Sequence, residues 1–287
     1  MKTKRGLATI AVVPTVKGTQ DIITSELQNP KSGVSEAFFS ARTALEFTTE
    51  SGTPQSILIT STRPGEGKTS STVALAMAFA KVGRSVLIID ADMRKPSFVA
   101  DAGASIGLSG MLTRDADLRD HIIQASTNGL HLLPAGIVPP NPAELLSSPR
   151  LKELLTQAED LFDVVIVDSP PVLSFTDAPL LGSMCDATLV AIQASSIRTP
   201  ALQRTVGRLL ESRTNIVGGI LTKFDAKKSG YDYGYYSYAY GKNAYAYQER
   251  KVSSGKNARR KIRLFSDGQT QTKTPAQKDE TEAWFDQ

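Results

Sequence analysis

Residues 61–70 read STRPGEGKTS, and their flanks narrow the fold more than anything else in the chain. Before them runs an apolar strand, Ser56-Ile57-Leu58-Ile59-Thr60; after them comes a helix-forming run, Thr72-Val73-Ala74-Leu75-Ala76-Met77-Ala78-Phe79-Ala80. Strand, glycine-containing loop, Lys-Thr, helix is the context a phosphate-binding loop requires. Backbone N–H groups around Gly65–Lys68 can wrap phosphate oxygens, helped by the positive end of the helix dipole. Lys68 then neutralises β- and γ-phosphate charge, and Thr69 offers its hydroxyl to Mg²⁺. The nucleotide-binding candidates are therefore Pro64, Gly65, Glu66, Gly67, Lys68, Thr69 and Ser70. One position departs from the full G-x-x-x-x-G-K-[ST] pattern: the first glycine is replaced by Thr62. An ordinary glycine turn is the competing reading, and it leaves the Gly-Lys-Thr at this junction unexplained.

Two more apolar strands end in carboxylates. Val86-Leu87-Ile88-Ile89 runs into Asp90-Ala91-Asp92-Met93-Arg94-Lys95-Pro96, and Val164-Val165-Ile166-Val167 ends in Asp168 before Ser169-Pro170-Pro171. An unbroken apolar run is the mark of a strand buried on both faces, as in a parallel sheet. The carboxyl ends of such strands are where open α/β sheets place ligand-handling groups. Asp168 has the position and chemistry of a Walker B aspartate, which holds Mg²⁺ directly or through water. Any one of these aspartates alone reads equally as a turn or cap residue; three at strand ends beside a phosphate loop do not.

The rest of the core continues the alternation. Strands are predicted near 56–60, 85–90, 163–168, 187–193 and 215–222, with helices near 68–82, 142–158 and 199–212. This predicts an α/β fold of the P-loop NTPase type, a mostly parallel central sheet covered by helices on both faces, followed by a disordered tyrosine-rich tail. The chain divides into an approach segment (1–34), the P-loop domain (35–230), a tyrosine cluster (231–250) and a basic, polar tail (251–287).

All eight tyrosines lie between Tyr231 and Tyr247, where an even spread would put fewer than one. They are Tyr231, Tyr233, Tyr235, Tyr236, Tyr238, Tyr240, Tyr245 and Tyr247. Their neighbours are mostly Gly, Ser, Ala, Asp and Asn, with no Leu, Ile or Val from Ser229 to Arg250, so the segment cannot bury enough apolar surface to offset its ordering entropy. Aromatics in such company can also stack on single-stranded nucleic acid. That use calls for interleaved Arg and Lys, and only Lys242 lies inside the cluster, so no nucleic-acid partner is expected. A phosphate-handling domain followed by a string of phenol hydroxyls points to an enzyme that delivers phosphate to its own tail, or to its neighbour's.

The combination of PGEGKT, LIIDADMRKP, PPNPAELLSSP (Pro139–Pro149), FDVVIVDSPPVL and a terminal tyrosine cluster resembles the bacterial tyrosine kinases of capsule and exopolysaccharide export. The resemblance spans about residues 30–247, and its most distinguishing motif is the D-x-D-x-R segment Asp90–Arg94. It implies a P-loop fold unrelated to eukaryotic protein kinases, whose H-R-D and D-F-G motifs are absent from this chain. It also implies the roles. Lys68 and Thr69 bind the phosphates of ATP and Mg²⁺, Asp168 belongs to the metal shell, and Asp90 sits beside the γ-phosphate. There Asp90 accepts or orients the tyrosine proton, supported by Asp92, with Thr69, Asp90 and Asp168 as the metal candidates. A free phenol has a pKa of about 10, so its hydroxyl needs such help at neutral pH. The remaining implications are autophosphorylation of the tyrosine cluster between subunits of a ring, modification of sugar-nucleotide enzymes, and control of polysaccharide synthesis.

The family's E-x-x-R-x-x-R subunit-contact motif is altered. Glu36 and Arg42 are present as oligomer-contact candidates, but the first arginine is replaced by Phe39. The resemblance to a ring-forming homo-oligomer is therefore weakened at this position, or the contact is more apolar in this chain, and a plain amphipathic helix is the alternative.

Other features exclude more than they reveal. A single Cys185 allows no internal disulfide and fits a reducing compartment. His121 and His131 lack companions at metal-ligand spacing and read as structural. The N-terminal MKTKRGLATIAVVP has too short an apolar stretch for a signal peptide and no cleavage pattern, and no apolar run reaches the roughly 18–20 residues that span a bilayer. Together with the resemblance, this places the chain in the cytoplasm at the inner face of the plasma membrane. It is either the cytoplasmic half of a longer co-polymerase or a free-standing kinase with a separate transmembrane activator. The basic run Lys256–Arg263 fits a solvated linker better than a lipid-headgroup contact. The rival from another class is a Min/Par-type partition ATPase, which shares the P-loop and the strand-end aspartates. Its signature lysine falls at position 63, where this chain has Arg63. A nucleotide-binding scaffold with weak catalysis is the third option.

Overall fold

A computed structural model of the chain describes residues 7–16, 25–49, 52–98 and 106–225. The tyrosine cluster, the basic run and the rest of the C-terminal segment lie outside the described residues.

Eight strands form one sheet, in the order β1-β8-β7-β2-β6-β3-β5-β4. They are β1 (Thr9–Pro14), β2 (Ser56–Ser61), β3 (Val86–Asp90), β4 (Ile123–Gln124), β5 (Leu130–Leu133), β6 (Val164–Asp168), β7 (Ala187–Gln193) and β8 (Ile216–Phe224). Every pairing is parallel except that of the short edge strand β4 with β5. The helices are α1 (Gly33–Leu45), α2 (Lys68–Ala80), α3 (Gly107–Thr113), α4 (Pro142–Leu146), α5 (Pro149–Leu161), α6 (Asp177–Gly182) and α7 (Thr199–Glu211).

The period-2 geometry of a strand divides its side chains between two cores. Ile57, Ile59, Val86, Ile88, Val164 and Ile166 point to the face covered by α1 and α2. Leu58, Leu87, Ile89, Val165 and Val167 point to the other, covered by α3, α4 and α5 through Leu108, Met111, Leu146, Leu151 and Leu155. A third cluster joins Val172, Ala178, Val190 and Leu209 beneath α6 and α7. Being sandwiched on both faces is why the central strands read as unbroken apolar runs.

The expected α/β architecture is present, with instructive local differences. The helix expected over 142–158 is two helices, α4 and α5, because Pro149 cannot sit inside a helix and forces the residue before it out of the α region. Ser148 is extended (φ −72°, ψ 147°), and Pro149 starts α5 at a first-turn position where its missing N–H costs nothing. Thr9–Pro14, read from sequence as part of an approach segment, is an edge strand parallel to β8. Helix α2 is buried along almost its whole length, including Val73–Ala80, so its sequence shows little amphipathic signal. Cys185 is buried, and burial pushes its thiol well above the ordinary range, as fits an inert core residue.

Candidate active site

The site lies at the carboxyl ends of β2, β3 and β6. Parallel pairing sets Asp90 directly opposite Asp168, and Asp168 is also in register with Ile59 near the end of β2. Two strand-end carboxylates and the phosphate loop thus share one edge of the sheet.

The loop has left-handed turns at Gly65 (φ 84°) and Gly67 (φ 92°), where a side chain would be strained. Gly67 is the N-cap of α2 and supplies no side-chain cap, so the N–H groups of the first turn remain available for an anion. Thr62 has no positive φ, so glycine is not required there. Its hydroxyl lies 3.1 Å from that of Thr205 on α7, and both side chains are buried. Glu66, a nucleotide-binding candidate, turns inward: its Oε2 accepts from the N–H groups of Thr62 (2.8 Å) and Arg63 (3.0 Å). Burial raises its carboxyl pKa, and those same N–H bonds oppose the rise. Glu66 therefore braces the loop. Arg63, Pro64 and Gly65 are exposed, and Ser70 sits in the first turn of α2.

Around Lys68 the charges converge. Its Nζ is 2.9 Å from Asp92 Oδ2 and 3.7 Å from Asp168 Oδ1. Burial by itself would lower the ammonium's pKa, but Asp168 and Asp92 more than offset it and hold Lys68 charged. Thr69 donates to Asp168 Oδ2 at 2.7 Å, and its Oγ1 lies 3.3 Å from Ser97 Oγ. Thr72 Oγ1 is 3.4 Å from Asp168 Oδ1. Asp168 has no exposed surface, and burial raises its pKa against the pull of Lys68 and the Thr69 bond.

The D-x-D-x-R segment folds into a compact loop organised by its own carboxylates. Asp90 is fully buried; Oδ1 accepts from Asp92 N (3.2 Å), and Oδ2 accepts from Ser97 N (2.9 Å) and Phe98 N (3.2 Å). Burial first, and Asp168 second, push its pKa up to about 7. Asp92 Oδ1 accepts from Lys95 N, leaving Oδ2 to face Lys68. Arg94 makes a two-pronged bond to the fully buried Asp177 at the start of α6, Nε to Oδ2 at 2.8 Å and Nη2 to Oδ1 at 3.1 Å. Its guanidinium also stacks 4.2 Å over the Phe175 ring.

All four catalytic candidates, Lys68, Asp90, Asp92 and Asp168, are thus brought together, with Thr69 among them. Sequence reasoning missed Thr72, Ser97 and Asp177 as their companions; an Arg four residues after the strand-end Asp90 was the one available hint that a buried acid stood opposite. The oligomer candidates are not paired with each other: Glu36 is exposed, and Arg42 lies 3.8 Å from Glu46. Phe39 packs against the domain's own core, with Lys81 Nζ 5.2 Å from its ring centroid. Among the described residues, no group of three His, Cys, Asp or Glu side chains is arranged to hold a metal by itself. The oxygen donors of Thr69 and Asp168 do suit Mg²⁺, which takes one or two protein ligands and fills its shell with phosphates and water. No described helix is long and apolar enough to cross a membrane.

The fold and loop define the class first: a P-loop nucleotide-binding protein, in agreement with a match to the AAA domain family over residues 54–216. The chain is 34% identical over 215 residues to tyrosine-protein kinase YwqD of Bacillus subtilis, covering 73% of this chain and 89% of that protein. It is 32% identical over 232 residues to tyrosine-protein kinase wzc of Salmonella typhimurium, covering 79% of this chain but 32% of wzc. The solved kinase domain of Escherichia coli tyrosine kinase ETK superposes with a TM-score of 0.69 at 28% identity, over 79% of this chain and 96% of that domain. The chain belongs to the bacterial tyrosine kinases and is a protein-tyrosine kinase. This decides against the partition-ATPase alternative.

Proposed function

We propose that this kinase uses ATP with Mg²⁺ to phosphorylate its own tyrosine cluster, between subunits, and thereby regulates capsule or exopolysaccharide synthesis and export. The observation that carries the reading is the convergence of Lys68, Thr69, Asp92 and Asp168 within hydrogen-bond or ion-pair distance beside the phosphate loop. Phosphoryl transfer is mostly positioning and charge neutralisation, and these residues are equipped for both.

In this reading the N–H groups at the start of α2 hold the phosphates, and Lys68 leaves its carboxylate partners for the β- and γ-oxygens. Thr69 and Asp168 hold the metal, which supplies charge neutralisation on the transferred group. The proton of the incoming phenol passes to the Asp90–Asp92 pair. Burial raises the Asp90 carboxyl pKa and so favours its protonated form, and Asp92 is the member that faces Lys68. Asp90 also counts among the metal candidates through its position opposite Asp168. The catalytic unit is residues 35–230 together with strand β1; the tyrosine cluster, 231–250, supplies the phosphoacceptors Tyr231–Tyr247, and the basic, polar residues 251–287 follow it.

The partial coverage of wzc supports a kinase that works with a membrane-bound co-polymerase half, fused or separate, at the inner face of the plasma membrane. Sugar-nucleotide enzymes are candidate substrates in trans. A ring-like homo-oligomer is the assembly proposed. Because Phe39 is engaged within its own subunit, Glu36 and Arg42 are left as the polar contacts available to a neighbour.

Mass spectrometry of the full-length chain incubated with Mg²⁺ and ATP tests the core of this. Phosphate is expected on several of Tyr231–Tyr247 and absent in Lys68→Met. Label that accumulates equally in the variant, or a tail that never takes up phosphate even with a membrane activator, rejects the reading.

A further inference from the structure

The phosphate loop is touched from the far side of the sheet by two consecutive residues of β8 that no motif contains. Thr222 donates its hydroxyl to the carbonyl of Glu66 at 2.6 Å, and Lys223 Nζ donates to the carbonyl of Gly65 at 2.7 Å. We propose that Thr222 and Lys223 are positioning residues for the kinase reaction: by holding these carbonyls they aim the N–H groups of Glu66 and Gly67 at the nucleotide phosphates.

The argument is one of peptide geometry. In a trans peptide the C=O of one residue and the N–H of the next lie in one plane and point in opposite directions. The described peptide bonds are all trans. Fixing the carbonyl of Gly65 therefore fixes the N–H of Glu66, and fixing the carbonyl of Glu66 fixes the N–H of Gly67. Both peptides flank glycines at positive φ, the residue type with the greatest freedom to rotate them. A loop of this kind needs external donors on its outward carbonyls if its N–H groups are to be aimed before the anion arrives.

Three further observations show a built arrangement. Lys223 Nζ also donates to Gln193 Oε1 at 3.0 Å, so the ammonium is tethered between β7 and the loop. Lys223 takes φ +52°, an uncommon backbone conformation for a lysine and the kind of local strain that persists where the surroundings demand it. Thr222 is buried, and its Cγ2 would lie 3.3 Å from a Cβ added at Gly67, so the strand and the loop are in close approach.

The inference rests on residues 61–70 being the nucleotide site. The test uses the full-length chain, a fluorescent ATP analogue with Mg²⁺, steady-state kinetics, and the amide shift of ¹⁵N-labelled Gly67 on adding Mg²⁺ and ADP. Thr222→Val and Lys223→Met should each weaken nucleotide affinity about tenfold, the scale of a lost hydrogen bond in a charged setting. KM for ATP should rise with it, and the Gly67 amide shift should shrink. Thr222→Ser, which keeps the hydroxyl, should restore affinity and shift. Should Thr222→Val fail to fold, the exposed Lys223→Met carries the test by itself. Wild-type affinity and amide shift in the Thr222 and Lys223 variants overturn the inference, as does a loss of affinity with an unchanged shift, which would mean plain charge attraction. Lys68→Met is measured alongside: if it too binds as wild type, the nucleotide site itself is misplaced, whereas silence of the Thr222 and Lys223 variants alone sinks only their positioning role.

Discussion

The two flanks of β2 handle the phosphate loop in opposite ways. On the β6–β3 side the contacts are ionic and buried: Lys68 Nζ lies 2.9 Å from Asp92 and 3.7 Å from Asp168, and the three side chains have little or no exposure. On the β7–β8 side they are hydrogen bonds to backbone carbonyls from Thr222 and a surface-exposed Lys223. Both sides present a lysine to the loop, yet the two lysines differ in kind. Lys68 is held charged by the buried carboxylates around it, and removing it strands them. Lys223 leaves no buried charge behind. The difference teaches that the chemical flank is stabilised by mutual neutralisation, while the other flank contributes aim.

The sharpest way to break this contrast is to remove each lysine in turn. Lys68→Met should abolish tail phosphorylation and also destabilise the domain by about 3–5 kcal/mol, the cost of leaving a buried ion pair without one partner. Lys223→Met should leave the melting temperature unchanged. Thermal denaturation of the two variants, side by side, checks this; equal melting temperatures would erase the distinction.

Next in size is Arg94, which ties the aspartate loop to α6. Arg94→Met removes the two-pronged bond to buried Asp177 and should cost about 1.5–3 kcal/mol, with a fall in kcat because Asp92 and Ser97 share its loop. Arg94→Lys keeps the charge but not the fork and should recover only part of both. Chemical denaturation together with kinetics would read the two effects; full recovery by lysine would show that charge alone matters.

A pH-dependent effect belongs to Asp90. Its folded pKa is about 7 against an ordinary 3.8, so the folded state holds the proton more tightly. That contribution to stability is fully present below pH 3.8 and is lost as the pH rises through about 7. Relative to wild type, Asp90→Asn should therefore gain stability steadily from pH 4 to pH 7.5 in the absence of nucleotide and metal. A stability difference that stays flat over this range would contradict the assignment. The smallest effect is expected at Thr62. Thr62→Gly removes the hydroxyl contact with Thr205, worth about 1 kcal/mol, and should leave ATP affinity unchanged because the backbone there makes no demand for glycine; a titration with the fluorescent analogue would show it.

Legibility followed the same division. The strand-loop-helix unit around Lys68 and the carboxylates ending β3 and β6 could be read directly, because the chemistry there is carried by neighbours within one or two turns of chain. The central strands were legible because being covered on both faces demands a continuous apolar run. The short elements were not: β4, β5, α3 and α6 carry too few residues to display a period, and β1 was hidden in a segment whose basic flank and proline suggested a linker. Thr222 and Glu66 stand 156 residues apart, and Lys223 and Gly65 158 apart, so no local pattern announces either contact. Within the loop itself, the place of Glu66 could be read, whereas the bonds of its carboxylate to the N–H groups of Thr62 and Arg63 could not.

By itself, the order of residues determined the kind of chemistry available: an anion-binding turn, one lysine, one hydroxyl and three strand-end acids, because loop and helix geometry are set by near neighbours. Only the tertiary structure decided which acid faces the lysine, that Asp90 lies shut in opposite Asp168, and that β8 reaches across to steady the loop. Parallel strands meet through long crossovers, and their order and register are settled by how both faces of the sheet are covered, a property of the whole domain that no short stretch of sequence contains.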